Sequence, residues 1–167
     1  MKALFGRVLA IATGIVAIDQ LTKVFARAGL ALCTARGAIG CDRVRLGGAE
    51  LLRVRNAGSA FGFQQDLWIW VPIAALGLAL VMLYARGSTR GYAIAVAAGL
   101  QLGGAVSNLA DRLFQAGVTD FIYLGAGPVF NLADVALAIG TVQGTWSLAK
   151  ASGTARSPSA NEGRCLT

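Results

Sequence analysis

The sequence predicts an all-α membrane protein: four transmembrane helices with a small extracytoplasmic β-containing loop domain. Three observations predict it. Of the 167 residues, 56% are hydrophobic and 14% charged, where soluble domains carry about a quarter charged residues. The mean hydropathy is +0.63, more apolar surface than a globule of this size can bury, so the bilayer is the natural solvent for the excess. The apolar residues also gather into four blocks, each able to supply the ~20 residues that cross a hydrocarbon core. A single domain over residues 1–150 and a flexible cytoplasmic tail over 151–167 follow.

The first block covers residues 3–28. Lys2, Arg7 and the Ala26-Arg27-Ala28 triplet give it the outline of a signal peptide, but Asp19 and Lys23 interrupt the apolar run and no long polar domain follows. It reads as an uncleaved first helix. The second block covers 67–85, the third 91–110 and the fourth 129–149. Trp68, Trp70, Tyr84, Tyr92 and Trp146 fall near block ends, where amphipathic rings favour the interface. Gly99 and Gly103 form a GxxxG that permits close helix contact, although a chain with 22 glycines also produces such a pair by chance.

The connections are unequal. Residues 29–66 form a long loop with five arginines between Arg36 and Arg55, and its 50–56 segment alternates as a surface strand does. Residues 86–90 make a tight turn, and residues 111–128 a medium loop. With four spans both termini share one side, and the 29–66 and 111–128 loops share the other. Short loops weigh most in the positive-inside rule, which places the termini in the cytoplasm.

Composition also excludes chemistry. The chain has no histidine, which removes Ser-His and Cys-His catalysis and every zinc site that needs an imidazole. No metal and no cofactor are expected. The net charge is +7 with a pI near 10.0, yet the arginines form no clustered basic face. Lipid headgroups are the expected partner and nucleic acid is not. Cys33 and Cys41 share the long loop and can pair if it faces an oxidising compartment; Cys165 reads as a free thiol.

Ionisable residues inside spans are costly and mark function. Asp19 and Lys23 lie toward the C-terminal end of the first span, and Asn108, Asp111 and Arg112 at that of the third. Asn131 and Asp134 lie at the N-terminal end of the fourth, and Asn56 and Asp120 in the two loops of the same side. Order and parity bring all of them to one membrane face. Several have a structural reading as well. Asp19 and Lys23 stand i,i+4 in the favourable order for an ion pair. Asp111 and Arg112 can anchor a helix end, and Asn108 and Asn131 can be interhelical glue. Asp134, a turn inside an apolar span, needs a partner, and Asp120 is the nearest loop carboxylate. Two such groups share a proton. One then activates water while the other polarises a carbonyl and protonates the leaving amine. This is the logic of an aspartate-dependent membrane protease. A Ser–Lys site would join Lys23 to Ser59 or Ser107, but Asp19 keeps the lysine charged and a poor base.

These residues together resemble the lipoprotein signal peptidases (signal peptidase II) of bacteria. The resemblance rests on Asp19-Gln-Leu-Thr-Lys23, Asn56-Ala-Gly-Ser-Ala-Phe-Gly62, the segment from Gly103 through Asn108 to Asp111 and Arg112, Val118-Thr-Asp120-Phe-Ile122, and Phe130-Asn131-Leu-Ala-Asp134. It implies a multi-pass enzyme of the bacterial cytoplasmic membrane with its site near the extracytoplasmic face, and the self-contained polar cluster is consistent with a monomer. Its substrates are lipid-modified prolipoproteins, cut before the diacylglyceryl cysteine. It implies Asp120 and Asp134 as catalytic residues, and Asn56, Gly58, Asn108, Arg112, Asn131, Asp19, Lys23 and Asp111 as substrate-binding or site-supporting ones. The thirteen residues between Asp120 and Asp134 are fewer and richer in glycine than is usual in that family. Phe61 and Phe63 are expected to dip into lipid. The competing classes are a small proton-coupled transporter, which wants polar residues through the membrane depth where only Gln101 and Gln143 stand, and a non-catalytic lipoprotein-binding factor.

Overall fold

The computed structural model describes residues 2–33, 43–57 and 91–154, with Ala75 and Gly77, both helical. The rest of the predicted second span over 67–85, Gly58, Ser59, Phe61, Phe63, Cys41, Cys165 and the chain beyond 154 lie outside the described residues. The described elements are, in chain order, α1 (Lys2–Gly29), β1 (Leu32–Cys33), β2 (Val44–Leu46), β3 (Ala49–Asn56), α2 (Gly91–Gln115), β4 (Val118–Tyr123) and α3 (Leu132–Thr154).

The described residues are mostly helical, and two helices, α1 and the Tyr92–Gln115 stretch of α2, are long and apolar enough to cross a membrane. α2 lies between α1 and α3. Its small residues explain how. A Cβ built on Gly99 would stand 2.8 Å from the Ile11 side chain, and one on Gly103 would stand 2.8 Å from the Ala12 carbonyl oxygen. On the other face, a Cβ on Gly104 would stand 2.6 Å from the Ala133 carbonyl oxygen. The GxxxG pair is therefore a genuine contact seam, where absent side chains let backbones touch. The contacts also set direction. Along α2, Gly99, Gly103 and Ser107 meet Ile11, Ile15 and Gln20 in rising order, so α1 and α2 run parallel. Gly104, Gln101 and Ala93 meet Ala133, Thr141 and Gln143 in opposed order, so α3 is antiparallel to both.

The surface is inverted relative to a soluble bundle. Phe25, Phe114, Val142 and Trp146 are each more than 60% exposed, while Asp19, Lys23, Ser107 and Asn131 are completely buried. Large apolar side chains face outward and small or polar ones inward, the arrangement expected when the solvent is lipid.

Four strands form one sheet at the end where α1 and α2 finish and α3 begins. β3 is central: β4 pairs antiparallel along one edge, while β1 (parallel) and β2 (antiparallel) share the other. β2 and β3 turn through Gly47 and Gly48, and Gly47 adopts a φ of 61° that the two-residue hairpin requires. Cys33 is disulfide-bonded, with its partner outside the described residues.

Three boundaries differ from the sequence expectation. α2 continues to Gln115 instead of stopping at 110, so Asp111 and Arg112 sit on the helix and not in a loop. Their polarity ended the apolar block, but a helix whose polar groups find internal partners does not end there. α3 spans Leu132–Thr154 instead of 129–149, because Phe130 is held by backbone bonds to Ile122 and the helix starts only after Asn131. Most of the predicted 111–128 loop is the end of α2 and the strand β4, a β-branched and aromatic run that pairs with β3.

The seam makes a sharp prediction. Gly103→Ala must push α1 and α2 apart and is expected to lower stability by about 1–3 kcal/mol. Gly14→Ala, with nothing within 4 Å of the new methyl, is expected to be neutral or to stabilise by up to ~1 kcal/mol. Thermal unfolding of both variants in one detergent compares them directly.

Candidate active site

The site grows from the start of α3. Asn131 is its N-cap: its Oδ1 accepts the Asp134 backbone N–H at 3.0 Å, while Asp134 Oδ2 accepts the Asn131 backbone N–H at 3.2 Å. This reciprocal box satisfies two helix-end donors. It also faces Asp134 toward the positive end of the helix, where a carboxylate is stabilised. The Asn-Leu-Ala-Asp spacing is thus a local folding device before it is anything else.

The cap's remaining donor reaches outward. Asn131 Nδ2 donates to Asp120 Oδ1 at 2.6 Å and to Asn108 Oδ1 at 3.2 Å. Asn108 Nδ2 donates to Asp134 Oδ1 at 2.8 Å. Asn56, at the end of β3, donates to Asp120 Oδ2 at 3.1 Å. Both oxygens of Asp120 and both of Asp134 therefore accept amide N–H groups. Asp120 is 2% exposed. Burial, then the nearby Asp134 carboxylate, push its pKa up to about 7, against the opposing hydrogen bonds of Asn56 and Asn131 and the charge of Lys23.

Behind the amides lies an ion cluster. Lys23 Nζ stands 2.7 Å from Asp19 Oδ2 and 3.1 Å from Asp111 Oδ2, and donates to Asn108 Oδ1 at 2.9 Å. Asp19 Oδ1 accepts the Ala133 backbone N–H at 2.9 Å, and its Oδ2 accepts the Ser107 hydroxyl at 2.7 Å. Asp111 accepts the Thr119 backbone N–H at 2.9 Å and the Gln20 amide at 3.1 Å, with Arg27 at 3.6 Å. Arg112 donates to the Asn108 carbonyl of its own helix at 3.2 Å, and its charge is felt by Asp134, Asp120 and Asp111.

The structure thus brings Asp120, Asp134, Asn56, Asn108, Asn131, Asp111, Arg112, Asp19 and Lys23 to one end of the bundle; Gly58 lies outside the described residues. The i,i+4 pair is present, but it serves three helices and not one. Lys23 is held by two carboxylates and Ser107 donates to Asp19, so neither is arranged as a Ser–Lys base and nucleophile. Gln101 and Gln143, the deeper polar residues, donate to the backbone carbonyls of Leu137 and Ala93 and so join helices. Among the described residues no group of three or more His, Cys, Asp or Glu is placed to hold a metal ion. Sequence reasoning missed Gln20, Arg27 and Thr119, and weighed Ser107 only as a nucleophile, whereas it donates to Asp19. The signal was there for Arg27, which continues the Asp19, Lys23 face by one more turn.

Fold and site together define a helical membrane protein with a buried carboxylate pair, held by amides, at one end of its bundle. Two solved bacterial membrane enzymes, determined by the in meso method at 1.9 and 2.3 Å resolution, share the fold. The first matches with a TM-score of 0.69 at 24% identity, over 87% of this chain and 94% of that one. The second matches with a TM-score of 0.70 at 23% identity, over 96% and 95%. Residues 11–150 match the family model of signal peptidase (SPase) II. The lipoprotein signal peptidase of Syntrophomonas wolfei is 36% identical over 129 residues, covering 77% of this chain and 83% of that protein. That of Oleidesulfovibrio alaskensis is 31% identical over 150 residues, covering 84% and 92%. The chain belongs to the signal peptidase II family. It is accordingly a membrane peptidase, a hydrolase of peptide bonds.

Lys23 carries the expected structural cost. Lys23→Met leaves buried Asp19 without its lysine and Asp111 with the more distant Arg27 at 3.6 Å, and is expected to lower stability by about 3–5 kcal/mol, measured by chemical unfolding in detergent.

Proposed function

We propose that this peptidase removes the signal peptide from diacylglyceryl-modified prolipoproteins, cutting before the lipidated cysteine, with Asp120 and Asp134 as its catalytic pair. One observation carries the reading: the side chain and backbone of Asn131 hold both carboxylates at once, at 2.6 Å and 3.2 Å, in a chain of this family. Asp134, at a helix N-terminus, is the ionised member and takes a proton from water. Asp120, on a strand with no such dipole, holds the shared proton. It donates a hydrogen bond to the scissile carbonyl as the water oxygen attacks. The tetrahedral species collapses with the C–N bond breaking, and the leaving nitrogen takes up a proton from the pair. Water is added across the peptide bond, and no covalent intermediate forms.

The site-supporting roles of Asn56, Gly58, Asn108, Asp111, Arg112, Asn131, Asp19 and Lys23 belong to the same proposal. So does a four-span fold within residues 1–150. The parallel run of α1 and α2 supports it, because the chain leaves α1 at the site end and begins α2 at the other, and the apolar 67–85 block is the segment suited to the return. The enzyme is a monomer of the bacterial cytoplasmic membrane with the site toward the extracytoplasmic face. At the opposite end, Arg7 lies 5.8 Å from the Tyr92 ring centroid and Lys150 4.7 Å from that of Trp146, pairs suited to a headgroup layer.

Purified enzyme in lipid vesicles is expected to cleave a diacylglyceryl-modified prolipoprotein, read as a gel shift. Asp120→Asn and Asp134→Asn are expected to lose turnover while keeping fold and substrate affinity. Retained cleavage by either variant sinks the aspartate reading. A folded wild type that binds prolipoprotein without cutting it is a binding factor. The pH profile gives a second check. Neutral Asp120 is the working form, so kcat is expected to fall as pH rises through about 7. Asn56→Ala removes a hydrogen bond that favours the ionised form, so the alkaline limb is expected to move to higher pH.

A further inference from the structure

Two side chains outside the catalytic proposal meet at the residue next to Asp120. Arg27, at the end of α1, donates from Nη1 to Thr119 Oγ1 at 3.1 Å. The carbonyl of Arg27 accepts Arg53 Nη1, from β3, at 3.0 Å. Thr119 is also held from α2, where Asp111 accepts its backbone N–H, and from β3, where it pairs with Arg55. Thr119 is therefore fastened by α1, α2 and β3, and Asp120 follows it directly on β4. The loop side of β4 is held by backbone pairing, Ile122 and Tyr123 with Leu51 and Glu50 of β3 and Ile122 with Phe130, before exposed turn residues with Gly125 and Gly127 at positive φ.

We propose that Arg27 and Thr119 form a latch that seats β4 on the bundle, and so are positioning residues that place Asp120 against Asp134. The physical ground is a constraint of distance. Asp120 and Asp134 reach the site on different elements, joined by a glycine-rich connection. The amide of Asn131 spans both only if β4 keeps its height on the helix ends. The Asp111 bond fixes the Thr119 backbone, and the charge-assisted Arg27 bond fixes its side chain. Arg27 also ties α1 to β3 through its carbonyl, so one residue ties the first helix to both strands. The inference rests on Asp120 being catalytic.

The test uses Thr119→Val, which keeps shape and the backbone bond to Asp111 while losing the hydroxyl, and Arg27→Met, which keeps the stem and loses the fork. Cleavage of a diacylglyceryl-modified prolipoprotein is followed in lipid vesicles beside wild type and Asp120→Asn. Each single variant is expected to lose roughly tenfold or more in kcat, the scale of one hydrogen bond to a charged group, with KM within about twofold. The double variant is expected to be no worse than the poorer single, because both remove the same contact. Arg27→Lys is expected to recover part of the loss. The pH profile separates positioning from general weakening. Asp120 is faced by Lys23 on α1, Arg112 on α2 and Asp134 on α3, with the uncharged Asn56 on β3. If β4 slackens, Asp120 moves from Asp134 and toward water, and its alkaline limb shifts to lower pH. Activity equal to wild type in both single variants overturns the latch. So do additive losses, or a loss that tracks thermal stability with an unmoved alkaline limb. Activity retained by Asp120→Asn instead overturns the catalytic reading beneath it.

Discussion

One buried ammonium organises the end of the bundle that carries the site. Lys23 has no exposed surface, and a charge in that setting persists only with close partners. It has two carboxylates and an amide oxygen, from α1 and α2. Asp19 passes the constraint to α3 through the Ala133 N–H, and Asp111 passes it to β4 through the Thr119 N–H. With Arg27, the cluster holds two acids and two bases, a formal balance of zero. Such a cluster specifies register. A shift of one helix by a turn would strand several charges in a low-dielectric interior, each at a cost of several kcal/mol.

Amides carry that constraint to the carboxylate pair. An asparagine side chain has an acceptor at one tip and donors at the other, so it can stand between a cation and a carboxylate. Asn108 does this, with Oδ1 on Lys23 and Nδ2 on Asp134. Its orientation follows from the charges around it. The helix ends agree with the same polarity. α1 and α2 end here with their partial negative charge, beside Lys23, Arg27 and Arg112, and α3 begins here with its partial positive charge, beside Asp134. Asp111, near the C-terminal end of α2, stands against its helix dipole, and it is the carboxylate with the Lys23 and Arg27 partners.

The apolar exterior and the polar end belong to one design. Under the proposed function, the peptide bond of a membrane-anchored substrate lies near the interface, where a site at one end of a lipid-facing bundle meets it. Glycine and alanine along α2 let three helices close tightly around it, which excludes water from the buried groups. That exclusion is what raises the Asp120 pKa, with Asp134 adding to it.

Much of this was legible in the sequence. The apolar blocks announce α1, α2 and α3, the alternation at 50–56 announces β3, and the i,i+4 order of Asp19 and Lys23 announces their pair. Chain order, with a second span expected over 67–85, predicts the polar residues at one end. Each of these is a matter of local periodicity or chain order, which a sequence by itself determines. What only the tertiary structure decided is which partner each group takes. That α2 continues through Asp111 and Arg112, that β4 exists and pairs with β3, that Asn131 reaches Asp120, and that Gln20, Ser107, Arg27 and Thr119 belong to the network all depend on elements far apart in the chain. Periodicity tells which face a residue occupies. The height of one helix against another is set by close packing at Gly99, Gly103 and Gly104 and by the need to pair every buried charge, and those arise only once the elements meet.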